Sequence, residues 1–348
     1  MQNRLIGRRA FLGAASLLPL AASGALGAQE ADADLVDAAR QEGKVILYGE
    51  IITPTQRAIK TGFEKKYPGI AVDTLYLSGA PLMNRIMTEQ SAGRSVADVL
   101  VLDALRLPAL REKGYLARFV SSEAPHYGAK WQSDPEGYWI ETHLYLVGVM
   151  YNKSAVPEAD LPHSYDDLLK PEWAGGKIAM VTLVDNDLMF YFAAAMIRDR
   201  GETAAFEWFR ALAAQKPLVF GPGGIRVSQG VNTGEFALGL GFVAHVFTVG
   251  GGLDGAMGIA PVYPVYVPTG PGTAVLANAP NPNAARLFAN YVNSQEVQEM
   301  ISGYGYYSTY TGLRQAKPLL EMQLSDTPHP TDADAESLRT KLAQIFGQ

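Results

Sequence analysis

The chain has 348 residues, no cysteine and a formal net charge of −6, with 48% hydrophobic and 18% charged residues. That length suits one large domain or two packed lobes of a soluble globular protein. The lack of cysteine excludes disulfides, thiolate metal sites and a cysteine nucleophile. With no long basic run and an acidic balance, the sequence also argues against nucleic acid as a partner.

The first 28 residues are typical of a signal peptide. Three arginines precede an apolar run, Ala10–Ala22, and small residues fill 23–28. This order predicts a segment that is removed on export, and a run of roughly 13 residues is too short to span a bilayer. The sequence GRRAFL at 7–12 favours twin-arginine export, with an ordinary secretory signal as the alternative. We therefore expect a mature protein that is free in the periplasm.

After the signal, predicted helices and strands alternate. Apolar residues such as Ile59 and Phe63 recur at helical spacing, and Pro68-Gly69 ends that helix. Alternating helices and strands are the pattern of a parallel sheet covered on both faces. The predicted elements are helices at 35–42, 55–67, 81–92 and 105–113 and strands at 44–49, 70–77 and 96–102.

The middle of the chain begins with a long β-rich segment at 137–152, which exceeds a typical strand and could run from one lobe into another. A second α/β unit and a return crossing follow it. Their predicted helices lie at 164–169, 187–200 and 201–214, after the turn at 221–224 and ending at 232, within 283–302, and at 336–346. Their predicted strands lie at 177–181, 218–220, 236–243, 257–267 and 272–276.

Several motifs carry a resemblance to a known family. They are FEKKYPGI at 63–70, SGAPLMNRIMTEQSAGR at 78–94, ADV at 97–99, GVMYNK at 148–153, SYDDLL at 164–169, PEW at 171–173, GGKI at 175–178, GEFALGL at 234–240, ANAPNPNAARLFANYVNS at 277–294 and GYGYY at 303–307. In this order and spacing the chain resembles bacterial type II periplasmic binding proteins, in the group of iron(III)-binding and phosphonate-binding proteins. The resemblance covers roughly residues 44–310.

The resemblance implies an α/β fold of two lobes, each a mixed sheet flanked by helices, joined by crossing hinge strands. Such lobes close on a small-molecule solute, and the closed form delivers it to the permease and ATPase of an ABC importer. We predict one lobe from 29–142 plus 262–310, and the other from 143–261 plus 311–348. Proteins of this kind carry no catalytic residues, and we expect a monomer without cofactor or resident metal.

Candidate ligand-binding residues fall in two groups. Helix N-termini offer unpaired N–H groups to an anion, and three turns precede predicted helices. The family places ligand contacts at the first of these turns. The turn residues are Ser78, Gly79 and Ala80; Thr182 and Asn186; and Arg226. The second group ends strands or lines the crossings, with Glu141, His143 and Tyr145 alternating on one predicted strand face. It consists of Glu50, Asp103, Glu141, His143, Tyr145, His245 and Tyr263. Each residue alone also suits a purely structural role.

Family members that hold Fe(III) directly use adjacent tyrosines just after the strand that corresponds to 236–243. Here that place reads FVAHVF at 242–247, without a tyrosine. This departure argues against direct iron binding and favours a small anion, such as a phosphonate, sugar phosphate or carboxylate. Ferric iron, a neutral or cationic solute, and a sensor that reports to a receptor are the alternatives.

An enzyme is the remaining class. GLGFVA at 239–244 fits the dinucleotide pattern G-x-G-x-x-A, but no β-α-β unit begins there. The five histidines are scattered without metal-ligand spacing, and no hydrolase or P-loop motif occurs. The sequence therefore predicts binding without catalysis.

Overall fold

A computed structural model describes residues 33–51, 53–77, 79–127, 134–221, 223–313, 315, 319, 321–328 and 332–348. The predicted signal peptide lies outside these residues, and so does Ser78. The strands are β1 (Lys44–Gly49), β2 (Ala71–Tyr76), β3 (Val99–Asp103), β4 (Trp139–Glu141), β5 (His143–Leu144), β6 (Val147–Asn152), β7 (Ile178–Val181), β8 (Leu218–Phe220), β9 (Leu238–Phe242), β10 (Met257–Ile259), β11 (Val265–Val267), β12 (Pro271–Val275), β13 (Tyr307–Ser308) and β14 (Leu324–Asp326).

The α-helices of the same residues follow the predicted positions closely. They are α1 (33–42), α2 (Thr53–Lys66), α3 (Gly79–Ser91), α4 (Leu107–Glu112), α5 (Asp187–Arg200), α6 (Glu202–Ala214), α7 (Ile225–Thr233), α8 (His245–Thr248), α9 (Pro282–Val292), α10 (Gln295–Gly303) and α11 (Asp332–Phe346). The helix predicted at 164–169 is a short 3-10 helix, Asp166–Leu169. Helix α8 and strands β13 and β14 were not predicted.

The first sheet has the strand order β2-β1-β3-β12-β4, and the predicted parallel core is β2-β1-β3. Strand β3 shows why helices cover both faces. Val99 and Val101 pack into a cluster with Phe63 of α2 and Phe288 of α9. Leu100 and Leu102 point the other way, into a cluster with α3 and α4. Alternation along a strand sends successive side chains to opposite faces, so this run is buried throughout.

The second sheet has the order β14-β11-β6-β9-β7-β8, with β10 paired to β6. Strands β7, β8 and β9 are parallel, whereas β6 is antiparallel to β9. The largest apolar cluster of the described residues packs α5 and α6 against this sheet, around Phe192, Trp208 and Phe209. Both sheets are thus mixed and flanked by helices, which confirms the predicted fold class.

The crossings between the sheets differ in detail from the prediction. The segment 137–152 is not one strand: β4 pairs with β12, β5 with β13, and β6 with β9. The three strands belong to three different sheets, the middle one being the two-stranded sheet of β5 and β13, so the chain breaks twice. The predicted boundary at 262 also moves, because β11 pairs with β6 in the second sheet. The return crossing therefore lies at 268–270.

Candidate functional site

At the cleft edge of the first sheet, three predicted residues come together. Glu50 follows β1, Asp103 ends β3, and Gly79 begins α3. Oε1 of Glu50 accepts the Gly79 N–H at 2.6 Å, and Oε2 accepts the Asp103 N–H at 3.0 Å. The helix N-terminus that was predicted to hold a solute anion is therefore occupied by the protein's own carboxylate. The side chain of Ala80, also predicted to bind the solute, lies outside the part of the chain that the structure describes.

These carboxyl groups repel one another in a buried setting. Burial, followed by the charge of Asp103, raises the pKa of Glu50 to about 7. Burial also raises the pKa of Asp103, and the neighbouring Arg106 opposes both shifts. Desolvation disfavours a charged carboxylate unless a cation or N–H donors compensate it. The cleft edge is thus rich in acids and depends on Arg106 for charge balance.

The predicted binding residues of the second sheet, Thr182 and Asn186, also have hydrogen-bond partners within the protein. Oγ1 of Thr182 donates to Oε1 of Gln348 at 2.8 Å and accepts the Val184 N–H at 3.1 Å. Oδ1 of Asn186 accepts the Met189 N–H at 2.9 Å, so this residue is the N-cap of α5. Both side chains shape the turn that places the next residue, Asp187, at the cleft.

Asp187 joins the two sides of the cleft through two arginines. Its Oδ2 accepts a hydrogen bond from Arg106, which precedes α4 on the first-sheet side. Its Oδ1 accepts from Nη2 of Arg339 on α11, at 2.7 Å. Nη1 of Arg339 donates to the Val184 carbonyl, and its guanidinium lies 4.0 Å from the Phe190 ring centroid. Two guanidinium groups therefore share one carboxylate.

A solvent-accessible cavity of about 500 Å³ surrounds this bridge. Its size is within the range of small-molecule sites. Its wall combines three acids and two arginines with two aromatic residues, two aliphatic residues and one threonine. The lining residues are Asp103, Leu105, Arg106, Asp187, Phe190, Tyr191, Ala335, Glu336, Arg339 and Thr340.

The hinge end of the cleft is dominated by buried groups that have no oppositely charged partner among the described residues. His143 is 1% exposed, and burial lowers its pKa to about 3. Its ring centroid lies 5.7 Å from that of Tyr145 and 4.9 Å from that of Tyr306. Burial raises the pKa of Glu141 to about 8, against the opposing effect of the Gly270 N–H. His143 and Tyr145 thus lie in a packed aromatic cluster at the crossing.

Three predicted residues lie apart from this arrangement. Arg226 is exposed, where Nη2 donates to Oε1 of Glu235 at 2.5 Å and the guanidinium lies over the Phe220 and Phe236 rings. Tyr263 packs with the apolar cluster around Val265. Neither residue lines the cavity, so neither belongs to the candidate site.

The third predicted residue that lies apart from the cavity is His245. It follows β9, at the place where iron-binding family members have tyrosines. Its Nδ1 lies 2.6 Å from Oγ of Ser228, and burial lowers its pKa to about 4. Val243 and Ala244 before it are buried apolar residues. This position therefore offers a satisfied, neutral imidazole and no phenolate.

Sequence reasoning missed Arg106 and Arg339, and named Asp187 only as the first residue of a helix. The sequence carries a weak signal for Arg106, because this residue stands three residues after the end of a buried strand, where ligands of α/β sheets bind. Arg339 had none, because 152 residues of chain separate it from Asp187. The packing of α11 against α6 brings it to the cleft.

Comparison with known proteins agrees with this architecture. The profile of bacterial extracellular solute-binding proteins matches residues 94–335. An Fe(3+)-binding periplasmic protein of Serratia marcescens is 25% identical over 349 residues, which is 96% of each chain. Iron-bound HitA of Pseudomonas aeruginosa has a TM-score of 0.69 at 24% identity, over 87% of this chain and 99% of HitA. An Agrobacterium tumefaciens ABC-transporter substrate-binding protein has a TM-score of 0.72 at 17% identity, over 87% and 94%.

Two helix-flanked mixed sheets, crossing segments and a cavity between them define a two-lobed type II periplasmic binding protein. The chain belongs to the bacterial extracellular solute-binding protein family. It is a solute-binding component of ABC import and not an enzyme, as predicted, and its predicted periplasmic location is confirmed. Among the helices of the described residues, none is both long and apolar enough for a membrane span.

Proposed function

We propose that the protein captures a small organic anion in the cleft and delivers it, as a monomer, to a membrane permease. The observation that carries this proposal is the pair of guanidinium groups, Arg106 and Arg339, at a solvent-accessible cavity between the two sheets. Arginine presents a planar fork of N–H donors that suits carboxylate and phosphate oxygens. The two side chains are 24% and 30% exposed, so a solute can reach them.

The hydrogen-bond inventory supports the proposal. Two arginines carry ten N–H donors, of which three have acceptors among the described residues: Asp187 twice and the Val184 carbonyl. Nε of Arg106 is buried without a partner in the same set. That atom has no solvent-accessible surface for a solute to contact, so the N–H groups available to an oxyanion are the other unpaired ones on the two partly exposed side chains.

Ferric iron is the second candidate, because the Serratia relative and HitA are named for iron. The residues at 242–247 supply no phenolate there, and His245 is engaged by Ser228. Within the described part of the chain, no group of three or more His, Cys, Asp or Glu side chains is arranged to hold a metal ion. These observations favour the organic anion.

The test is a thermal-shift screen of the mature protein against carboxylates, phosphate monoesters, phosphonates and ferric citrate. Binding to the native state adds about 2.7 kcal/mol of stability at 100 times Kd, so the true solute gives a large rise in Tm. In the Arg339→Gln variant we expect the affinity for that solute to fall by about 10- to 100-fold, as for loss of a charge-assisted hydrogen bond.

Arg226→Gln is the matched control, since Arg226 is an exposed arginine away from the cavity. It should leave the affinity unchanged. Equal loss in both variants, or none in Arg339→Gln, would contradict the arginine site. A ferric complex with the visible absorption of an iron–phenolate bond would establish the second candidate instead.

A further inference from the structure

The cavity that holds the two arginines is not positively charged overall. Arg106 and Arg339 face three lining acids, Asp103, Asp187 and Glu336. Glu50 adds a fourth carboxyl group nearby, since its N–H donors include the backbone of Asp103. A site built for an anion alone would carry an excess of cations, because like charges in a partly desolvated cleft repel.

Asp103 is the acid best placed for a solute. Its side chain is buried, with 7% of the residue exposed, yet it lines the cavity. Oδ1 accepts the Leu105 N–H at 3.0 Å and the Thr269 hydroxyl at 2.9 Å. Oδ2 has no hydrogen-bond partner among the described residues. Oδ2 is not one of the buried unpaired atoms of the described residues, so it is open to the cavity, where an amine donor can reach it.

The acid and the arginines are close enough to act on one solute. The charge of Arg106 lowers the pKa of Asp103, and that of Asp187 raises it. Tyr191, also in the cavity wall, is within electrostatic reach of Asp103 and Asp187 and of both arginines. An acceptor, a pair of guanidinium groups and a phenol ring therefore share one small cavity.

We propose that the solute is zwitterionic, with an oxyanion bound by Arg106 and Arg339 and a protonated amine donating to Oδ2 of Asp103. The proposal rests on the proposed function and narrows its substrate class to amino-substituted carboxylates or phosphates. The positive charge of the amine balances the excess of carboxyl groups over arginines in the cavity. The oxyanion accepts hydrogen bonds from guanidinium N–H groups that have no acceptor among the described residues. A solute with the oxyanion alone leaves Asp103 unsatisfied and repels it.

The experiment is a calorimetric titration with carboxylates and phosphate monoesters of up to six carbons, each paired with its amino-substituted counterpart. Two such pairs are propionate with 3-aminopropionate and ethyl phosphate with 2-aminoethyl phosphate. We expect the tightest binder to carry the amine and to bind at least about 10-fold more tightly than its partner without it, as for a charge-assisted hydrogen bond.

The isosteric variant Asp103→Asn tests the assigned acceptor. It should reduce the advantage of the amine to less than about 3-fold while the affinity for the compound without the amine stays equal or rises. Asp254→Asn, at an exposed aspartate outside the cavity, is the matched control and should preserve the advantage. Melting temperatures of both variants check that they are folded.

The possible failures are distinguishable. If the tightest binder lacks an amine, or if Asp103→Asn weakens both members of a pair equally, the zwitterionic solute is wrong and the arginine site stands. If no compound binds, the zwitterionic solute of this size is also wrong. If a compound binds and Arg339→Gln does not weaken it, the proposed function itself is wrong.

Discussion

The two ends of the cleft use similar residues to different effect. At the hinge end, Glu141, His143 and Tyr306 are buried without opposite charges among the described residues, and their pKa values shift toward the neutral forms. At the open end, Asp187 lies between Arg106 and Arg339, and solvent reaches all three side chains. Titratable residues in a cleft are therefore not by themselves a binding site.

The difference follows from solvation. For a buried ionisable group without a partner, the desolvation cost of the charged form exceeds the favourable interactions of that form. The group therefore adopts its neutral form and serves as packing. A paired group that stays near water remains charged and can exchange its partner for a solute. We therefore assign stability to the hinge end and recognition to the open end, and three changes test that division.

The largest effect on stability is expected for Tyr306→Ala at the hinge. Tyr306 is 7% exposed and contacts the rings of His143 and Tyr145. Truncation of a buried aromatic residue costs roughly 3–5 kcal/mol, which urea unfolding will measure. Tyr76→Ala, at a residue that is 46% exposed, is the control and should cost less than about 1 kcal/mol. Similar losses in the two variants would show that the hinge cluster is not a core.

A smaller effect on stability, which depends on pH, is expected for Glu141→Gln. The pKa of Glu141 is about 8 in the folded protein against 4.5 as its ordinary value. Between these values the folded state binds a proton that the unfolded state has lost, so stability falls as pH rises from about 4.5 to about 8. Glu141→Gln should remove this component. It should be more stable than wild type at pH 8.5, by roughly 2–4 kcal/mol, and similar to it at pH 4.5.

The control for this prediction is Glu207→Gln, at an exposed glutamate of α6. Its urea midpoint should follow that of wild type at every pH between 4.5 and 8.5. An unchanged slope of stability against pH in Glu141→Gln would mean that Glu141 is ionised in the folded protein.

The smallest change in stability is expected at the open end. Arg339 and Asp187 form a pair whose side chains are 30% and 37% exposed, and such pairs contribute less than about 1 kcal/mol. Arg339→Gln should therefore lower the urea midpoint only slightly although it weakens solute binding. If Arg339→Gln lowered the free energy of unfolding by several kcal/mol, this arginine would have a structural role like that of the hinge residues.

The fold was largely predictable from the sequence because it rests on local patterns. The buried run Val99–Asp103 and the helix Asp187–Arg200, with its N-cap Asn186, carry their signals within a few residues. The breaks within 137–152 were not predictable, since they arise from pairing with β12 and β13, more than 120 residues away.

The candidate site was predictable only in part, for the same reason. Glu50 follows β1 and Asp103 ends the adjacent parallel strand β3, so their proximity follows from the α/β pattern. Arg226 looked available for an anion, but Glu235, across a helix and a turn, pairs with it. The position of Arg339 depends on how the C-terminal helix packs, and no short-range pattern encodes that.

The most direct test of the account is a crystal structure of the protein purified from the periplasm with its own solute bound. We expect the solute between the two sheets, with its oxyanion on Arg106 and Arg339. A solute bound elsewhere, or a metal ion held by side chains outside this cavity, would contradict the account.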